Sequence, residues 1–229
     1  MKTIGVIGGI GPQATMDFEA RVHRVSQRLI PQKENSGYPP MIVYYFRHAP
    51  VIQDDRGRPK IPHQPDLRLL EVAKHLGALA DFLVITANSP HEFHAQIEEA
   101  AGCMVYSMID LALAAVQEKK WQKIGVLGLG PPVVYLDPLA RMGIACDTVS
   151  GVLRAALDSG IFALMAGQED EQSTQAALDA VEFLRGKNVD GILLGCSELP
   201  LLLGDHARAP DLLDPGALLA EAAVRYAMT

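Results

Sequence analysis

The sequence predicts an α/β protein made of two similar domains, each a parallel sheet covered by helices. Three observations carry this. Short, uniformly apolar runs rich in β-branched residues alternate with longer segments whose apolar positions recur at helical spacing. Runs that are apolar throughout, without alternation, suit strands buried on both faces, the setting of a parallel sheet. The chain also echoes itself twice in the same order. IGVIGGIGP at 4–12 returns as IGVLGLGPP at 124–132, an offset of 120, and ADFLVITANSPH at 80–91 returns as VDGILLGCSELP at 189–200, an offset of 109. Two such halves are expected to present their strand C-terminal ends to a shared cleft, where open α/β sheets bind ligands.

Taken in order, a first strand is read over 3–7, then a glycine turn (Gly8, Gly9, Ile10, Gly11) and a helix over 14–29. A strand over 41–45 lies within an irregular stretch, 31–65, punctuated by Pro31, Pro39, Pro40, Pro50, Pro59, Pro62 and Pro65. Connections of that length are functional, mobile or simple surface insertions. A helix over 66–77 leads to a strand over 82–86, and a helix over 108–119 to a strand over 123–127. The last such pair is a helix over 172–185 and a strand over 191–194. Gly77 and Gly186 mark the ends of the helices that precede the second echo.

Composition excludes several classes of function. With 27 acidic and 20 basic residues the formal charge is −7, and no dense Lys/Arg stretch offers a basic face to nucleic acid or another polyanion. A hydrophobic fraction of 49% against 21% charged excludes disorder over most of the length. The three cysteines, Cys103, Cys146 and Cys196, lack C-x-x-C spacing, which excludes a disulfide framework and a cysteine-built zinc site. His91 and His94 have no evident metal-binding companions, so no metal is expected. Glycines arrive too early in MKTIGVIGGIGP for a signal peptide, and no run reaches the ~18 apolar residues of a membrane span. A cytoplasmic protein with reduced thiols, bound to no membrane, is the expectation.

Cys196 is the sharpest chemical feature. It follows an apolar strand and precedes a predicted helix, so the helix dipole should favour its thiolate as an acid/base or nucleophile. Ser197 and Glu198 add polar groups beside it; Cys103 and Cys146 lack such surroundings. At the echoed position stands Ala87, flanked by Thr86, Asn88, Ser89 and His91. Asn88 and Ser89 could donate hydrogen bonds to a substrate carboxylate or a developing enolate. Thr86 should point away if the segment is extended. His91 either caps the loop or transfers a proton. The Gly8-to-Gly11 turn lacks the third glycine of a dinucleotide fingerprint and any Walker lysine, so it either receives a small carboxylate or phosphate or serves tight packing.

These motifs resemble the aspartate/glutamate racemase family over nearly the whole chain. IGVIGGIGPQAT looks like the family's start, LGCSELPLLL like its second catalytic motif, usually Gly-Cys-Thr-Glu, and ANSPH like its first, usually Cys-Asn-Thr-x-His. The resemblance implies two α/β domains about a pseudo-twofold axis, here drawn as 1–106 plus 209–229, completed by the C-terminal helix, and 107–208. It also implies a homodimer and catalysis without cofactor by two cysteines flanking a substrate α-carbon. By this resemblance Cys196 is the second cysteine; with Ala87 opposite, a water, His91 or Glu198 would have to serve the other face. Asn88, Ser89, Ser197, Gly9 and Ile10 match substrate-contacting positions. Ala87 vacates the place of the first cysteine, and a methyl group can neither accept nor give a proton. Met165 stands where aspartate-specific members carry a lysine, and Leu129, Gly130 and Pro131 where a Thr-Gly-Thr turn is common. Both changes weaken the hold on a second carboxylate, for which Arg47, Arg56 and His48 are candidate substitutes. The expected function is an isomerase acting at the α-carbon of an amino or related carboxylic acid. The alternatives are a single-cysteine decarboxylase resembling arylmalonate decarboxylase and a catalytically inactive ligand-binding relative.

Overall fold

The computed structural model describes residues 1–34 and 36–229. Its first elements are β1 (Ile4–Gly8), α1 (Pro12–Leu29), β2 (Met41–Tyr45), α2 (Leu67–Gly77), β3 (Phe82–Ile85), α3 (His94–Ala101), β4 (Val105–Tyr106) and α4 (Met108–Glu118). They are followed by β5 (Lys123–Leu127), α5 (Val133–Arg141), β6 (Ala145–Asp147), α6 (Gly151–Met165) and α7 (Glu171–Arg185). The chain ends with β7 (Gly191–Leu194), α8 (Leu199–Leu203), β8 (Leu212–Leu213) and α9 (Pro215–Ala227). Two compact units result: Met1–Met108 with Gly216–Thr229, and Ile109–Pro215.

The first unit is built on a four-stranded parallel sheet of order β2-β1-β3-β4. β1 and β3 are its central strands, and every residue in them is buried, as their unbroken apolar sequences require. Ile7, Leu83 and Ile85 meet Leu69, Val72 and Leu76 of α2 in one apolar cluster. Asp66 caps α2 by accepting from the Arg68 N–H, and Pro12 opens α1, where a missing N–H costs nothing. The C-terminal helix belongs here: the Lys2 N–H donates to the Ala227 carbonyl at 2.8 Å, and Tyr226 packs edge-on to Phe82 at 4.9 Å between ring centroids. The proline-rich stretch is folded back on itself, with bridges Val51↔Pro65 and Gln53↔Pro59, and residues 56–64 are exposed.

The second unit repeats the plan with a parallel sheet of order β6-β5-β7-β8. The paired echoes therefore occupy equivalent strands, β1 with β5 and β3 with β7. Leu127, Ile192 and Leu194 are fully buried with Leu157, Ile161 and Leu184 from α6 and α7. A capping box starts α7: Asp170 accepts from the Ser173 N–H at 2.9 Å. Both boundaries drawn from the sequence move, the first by only two residues, to Met108. Residues 209–215 lie with the second unit because β8 pairs with β7, and only the chain from Gly216 returns to the first. Among the described residues, no helix is long and apolar enough to cross a membrane.

Candidate active site

The turn after β7 carries the most concentrated chemistry. The Gly195 N–H donates to the Leu127 carbonyl at 2.7 Å and ties this turn to β5. A Cβ on Gly195 would stand 2.7 Å from that oxygen and 3.1 Å from the Tyr135 ring, so only glycine fits. This close packing fixes the backbone that presents Cys196. The cysteine is 8% exposed, at the edge of the apolar cluster that includes Leu194, Leu199 and Leu202. Its Sγ–H donates to Glu198 Oε2 at 3.1 Å, and the Ser197 hydroxyl donates to the same oxygen at 3.1 Å. Glu198, itself 4% exposed, is thus a buried carboxylate whose acceptor capacity is turned on the thiol. The backbone N–H groups of Glu198 and Leu129 favour negative charge on the sulfur.

This environment reverses one expectation from the sequence. Burial pushes the Cys196 thiol well above its ordinary range, and the neighbouring Glu198 carboxylate adds to the rise; the two N–H groups only partly oppose them. The helix end expected to favour the thiolate belongs to α8, five residues long and beginning beyond Glu198. A helix end is worth about 0.3–1 kcal/mol, less than the roughly 1.4 kcal/mol of one pKa unit. Full burial moves a pKa by up to about 3–5 units. Desolvation wins, and the resting group is a thiol. Glu198→Gln removes the charge while keeping an acceptor, so it should speed Cys196 alkylation at fixed pH, by about tenfold for each unit of pKa released. Peptide-resolved mass spectrometry of a haloacetamide reaction measures this, and an unchanged rate would contradict the role given to the carboxylate.

Tyr135 was not anticipated. It is fully buried on α5, and burial, then Asp214, then Cys196 push its hydroxyl well above the ordinary range. The only sequence signal was an aromatic residue with a polar tip just after the echoed glycine turn. Leu129, on that turn, is 37% exposed, and Met165 packs against the rim of the apolar cluster.

In the first unit the turn after β3 holds the other predicted residues. Thr86 is turned toward α1, with its Oγ1 2.9 Å from that of Thr15. Ala87 is 7% exposed and Asn88 7%, whereas Ser89 is open to solvent. His91 is held by the main chain. The Met108 N–H donates to Nε2 at 3.1 Å, so the ring proton sits on Nδ1, which lies 3.0 Å from the Ala87 carbonyl. Both ring nitrogens are thus engaged by the main chain, the arrangement of a loop cap. Gly9, in a turn read either as an anion receiver or as tight packing, donates through its N–H to Thr15 Oγ1 at 2.8 Å. Its φ of +78° and a would-be Cβ 2.6 Å from Tyr45 Cα show the packing reason for a glycine there. Ile10 is partly exposed beside it. Arg47 is exposed with its guanidinium over the Tyr45 ring at 4.8 Å.

Known proteins resemble this chain over nearly its whole length. The chain is 22% identical over 230 residues to the broad specificity amino-acid racemase RacX of Bacillus subtilis, with 96% of each covered. Among solved structures, the aspartate racemase of Picrophilus torridus superposes with a TM-score of 0.81 at 18% identity, covering 100% of this chain and 95% of that one. An aspartate racemase homologue from Pyrococcus horikoshii gives 0.77 at 21% identity, with both chains covered in full. The family model described as Asp/Glu/Hydantoin racemase matches residues 7–223. With the match spanning nearly its whole length, the chain belongs to the Asp/Glu/Hydantoin racemase family.

Proposed function

We propose that the protein is a cofactor-independent isomerase that moves the α-proton of an amino acid or related carboxylic acid through Cys196. The observation that carries this is the buried thiol whose proton points at the Glu198 carboxylate, 3.1 Å away. The proton has somewhere to go. Transfer from Sγ to Glu198 leaves a thiolate, which takes the α-proton of the substrate as the C–H electron pair passes to the α-carbon and its carboxylate. The reverse transfer returns a proton to carbon. The N–H groups of Leu129 and Glu198 stabilise the sulfur while it is charged. Asn88, Ser89, Ser197 and Ile10 are the substrate-binding residues of this reading, with Arg47 for a further acidic group. The name of the RacX relative supports amino acids as the substrate class. Met165 and Leu129, apolar at their positions, favour substrates without a second carboxylate. The protein is taken as a cytoplasmic homodimer.

The test is α-proton exchange of single amino-acid enantiomers in deuterium oxide, followed by NMR together with chiral chromatography. With Ala87 at the vacated position, exchange is expected on one enantiomer well in excess of inversion. Silence with every amino acid offered would overturn the proposal. A second reading, decarboxylation, is favoured by the same resting thiol, because a lone proton donor suffices to quench an enolate formed by loss of carbon dioxide. Carbon dioxide release from substituted malonates, without amino-acid exchange, would select it.

A further inference from the structure

The parallel strands β1 and β3 run side by side as far as Ile7 and Ile85, where the Thr86 N–H closes their ladder on the Ile7 carbonyl at 3.1 Å. Beyond that rung the chain leaves each strand in a turn, one carrying Ile10 and the other Asn88 and Ser89. A side chain from α1 spans the two. Thr15 is fully buried, and its Oγ1 lies 2.8 Å from the Gly9 nitrogen, 3.0 Å from the Gly11 carbonyl and 2.9 Å from Oγ1 of Thr86, itself 3% exposed. A hydroxyl has one proton and two acceptor sites. The Gly9 N–H is a donor and the Gly11 carbonyl an acceptor, so Thr15 gives its proton to Gly11. The Thr86 hydroxyl must then donate to Thr15. Every site on this oxygen is filled, and the direction of each bond is determined. Gly8 leaves the room for it, since a Cβ there would stand 2.9 Å from Thr15 Oγ1.

A threonine inside a helix commonly bonds back to the carbonyl four residues earlier, and Thr15 does so with Gly11. That bond serves the helix alone. The other two reach outward, one to the main chain of the turn after β1 and one to the residue that begins the turn after β3. We propose that Thr15 is a positioning residue that joins these two turns, so that Ile10, Asn88 and Ser89 are held as one substrate-binding surface. The proposal rests on the reading of those three residues as substrate-binding. In a buried, fully satisfied network each bond supports the others, and a surface ordered in advance binds without the cost of ordering it at each encounter. Thr15 does not touch the substrate.

Two measurements on the full chain test this. The first needs no substrate: amide hydrogen exchange of Gly9, followed by NMR. Thr86→Val keeps the side-chain shape and removes only the hydroxyl that donates to Thr15. With the turns joined, the Gly9 amide should exchange about tenfold faster in Thr86→Val, the scale of one lost hydrogen bond. It should exchange faster still in Thr15→Val, while Thr15→Ser, which keeps the hydroxyl, stays near wild type. A threonine serving α1 alone predicts no change at Gly9 in Thr86→Val. The second measurement is the concentration dependence of α-proton exchange in deuterium oxide. Both valine variants should raise KM by about tenfold with a smaller change in kcat, because binding shared by ground and transition states is what a loosened surface loses. Thr15→Ser should restore it. Lost packing by itself would lower the melting temperature and leave the KM of the folded protein in place. If Thr15→Val does not fold, Thr86→Val decides. Unchanged Gly9 exchange in Thr86→Val, or an unchanged KM in the folded valine variants, overturns the proposal. Faster Gly9 exchange in a protein inert toward every amino acid leaves the tie between the turns standing and overturns the isomerase reading instead.

Discussion

Cys196→Ser is expected to lower α-proton exchange by at least about 10²-fold, the lower end of what one positioned acid/base contributes, with little change in the melting temperature. Serine fills nearly the same space in a group that is 8% exposed and can still donate to Glu198 Oε2, so packing and the local hydrogen bond survive. What disappears is an ionisable atom. A hydroxyl at this position cannot become an oxyanion near neutral pH, and burial beside a carboxylate would make ionisation harder still, for the reasons that raise the thiol. The variant thus separates chemistry from structure more cleanly than Cys196→Ala, which also removes packing. Exchange measured in deuterium oxide and thermal unfolding followed by circular dichroism are the two readouts. Undiminished exchange in a folded Cys196→Ser protein would remove this cysteine from the mechanism.

How far the sequence speaks depends on where each element lies. The central strands β1, β3, β5 and β7 were readable because burial on both faces writes an unbroken apolar run. The outer strands β4, β6 and β8, of two or three residues, are too short to carry any period. Helix α6 hid for a different reason. Val152 and Phe162, 88% and 57% exposed, place apolar residues on its outer side and blur the stripe that would reveal its inner one. At the site, residue types were legible and environments were not. Cys196 could be singled out from its place after a strand, but the direction of its ionisation depends on burial and on Glu198, which only the folded chain supplies. His91 is claimed by Met108, seventeen residues away. The Gly9 amide is claimed by Thr15, a hydroxyl one turn into the following helix and the nearest thing to a local warning in the sequence.

On the proposed reading, in which residue 87 takes the place of the family's first cysteine, Ala87→Cys is expected to convert exchange on one face into inversion, raising enantiomer conversion by about 10²–10⁴-fold, the usual contribution of an added acid/base. The reasoning begins with what a single thiol can do. It removes and returns a proton on one side of the α-carbon, so the label washes in while configuration is retained. Inversion needs a second group, and the motif ending β3 has a methyl where the related motif has a thiol. The surroundings of Ala87 suit the replacement. Its carbonyl is already fixed near His91 Nδ1 at 3.0 Å, and the preceding Thr86 is committed to Thr15. The new sulfur therefore adds one atom to a side chain whose main chain does not need to move. A new thiol in so buried a place, 7% exposed, should itself resist ionisation, which suits a donor better than a base. The gain should accordingly be larger in the direction for which Cys196 abstracts and residue 87 donates. The ratio of inversion to exchange, measured for both enantiomers in deuterium oxide, decides it. A folded Ala87→Cys protein with an unchanged ratio would mean that position 87 is not the missing half of the chemistry.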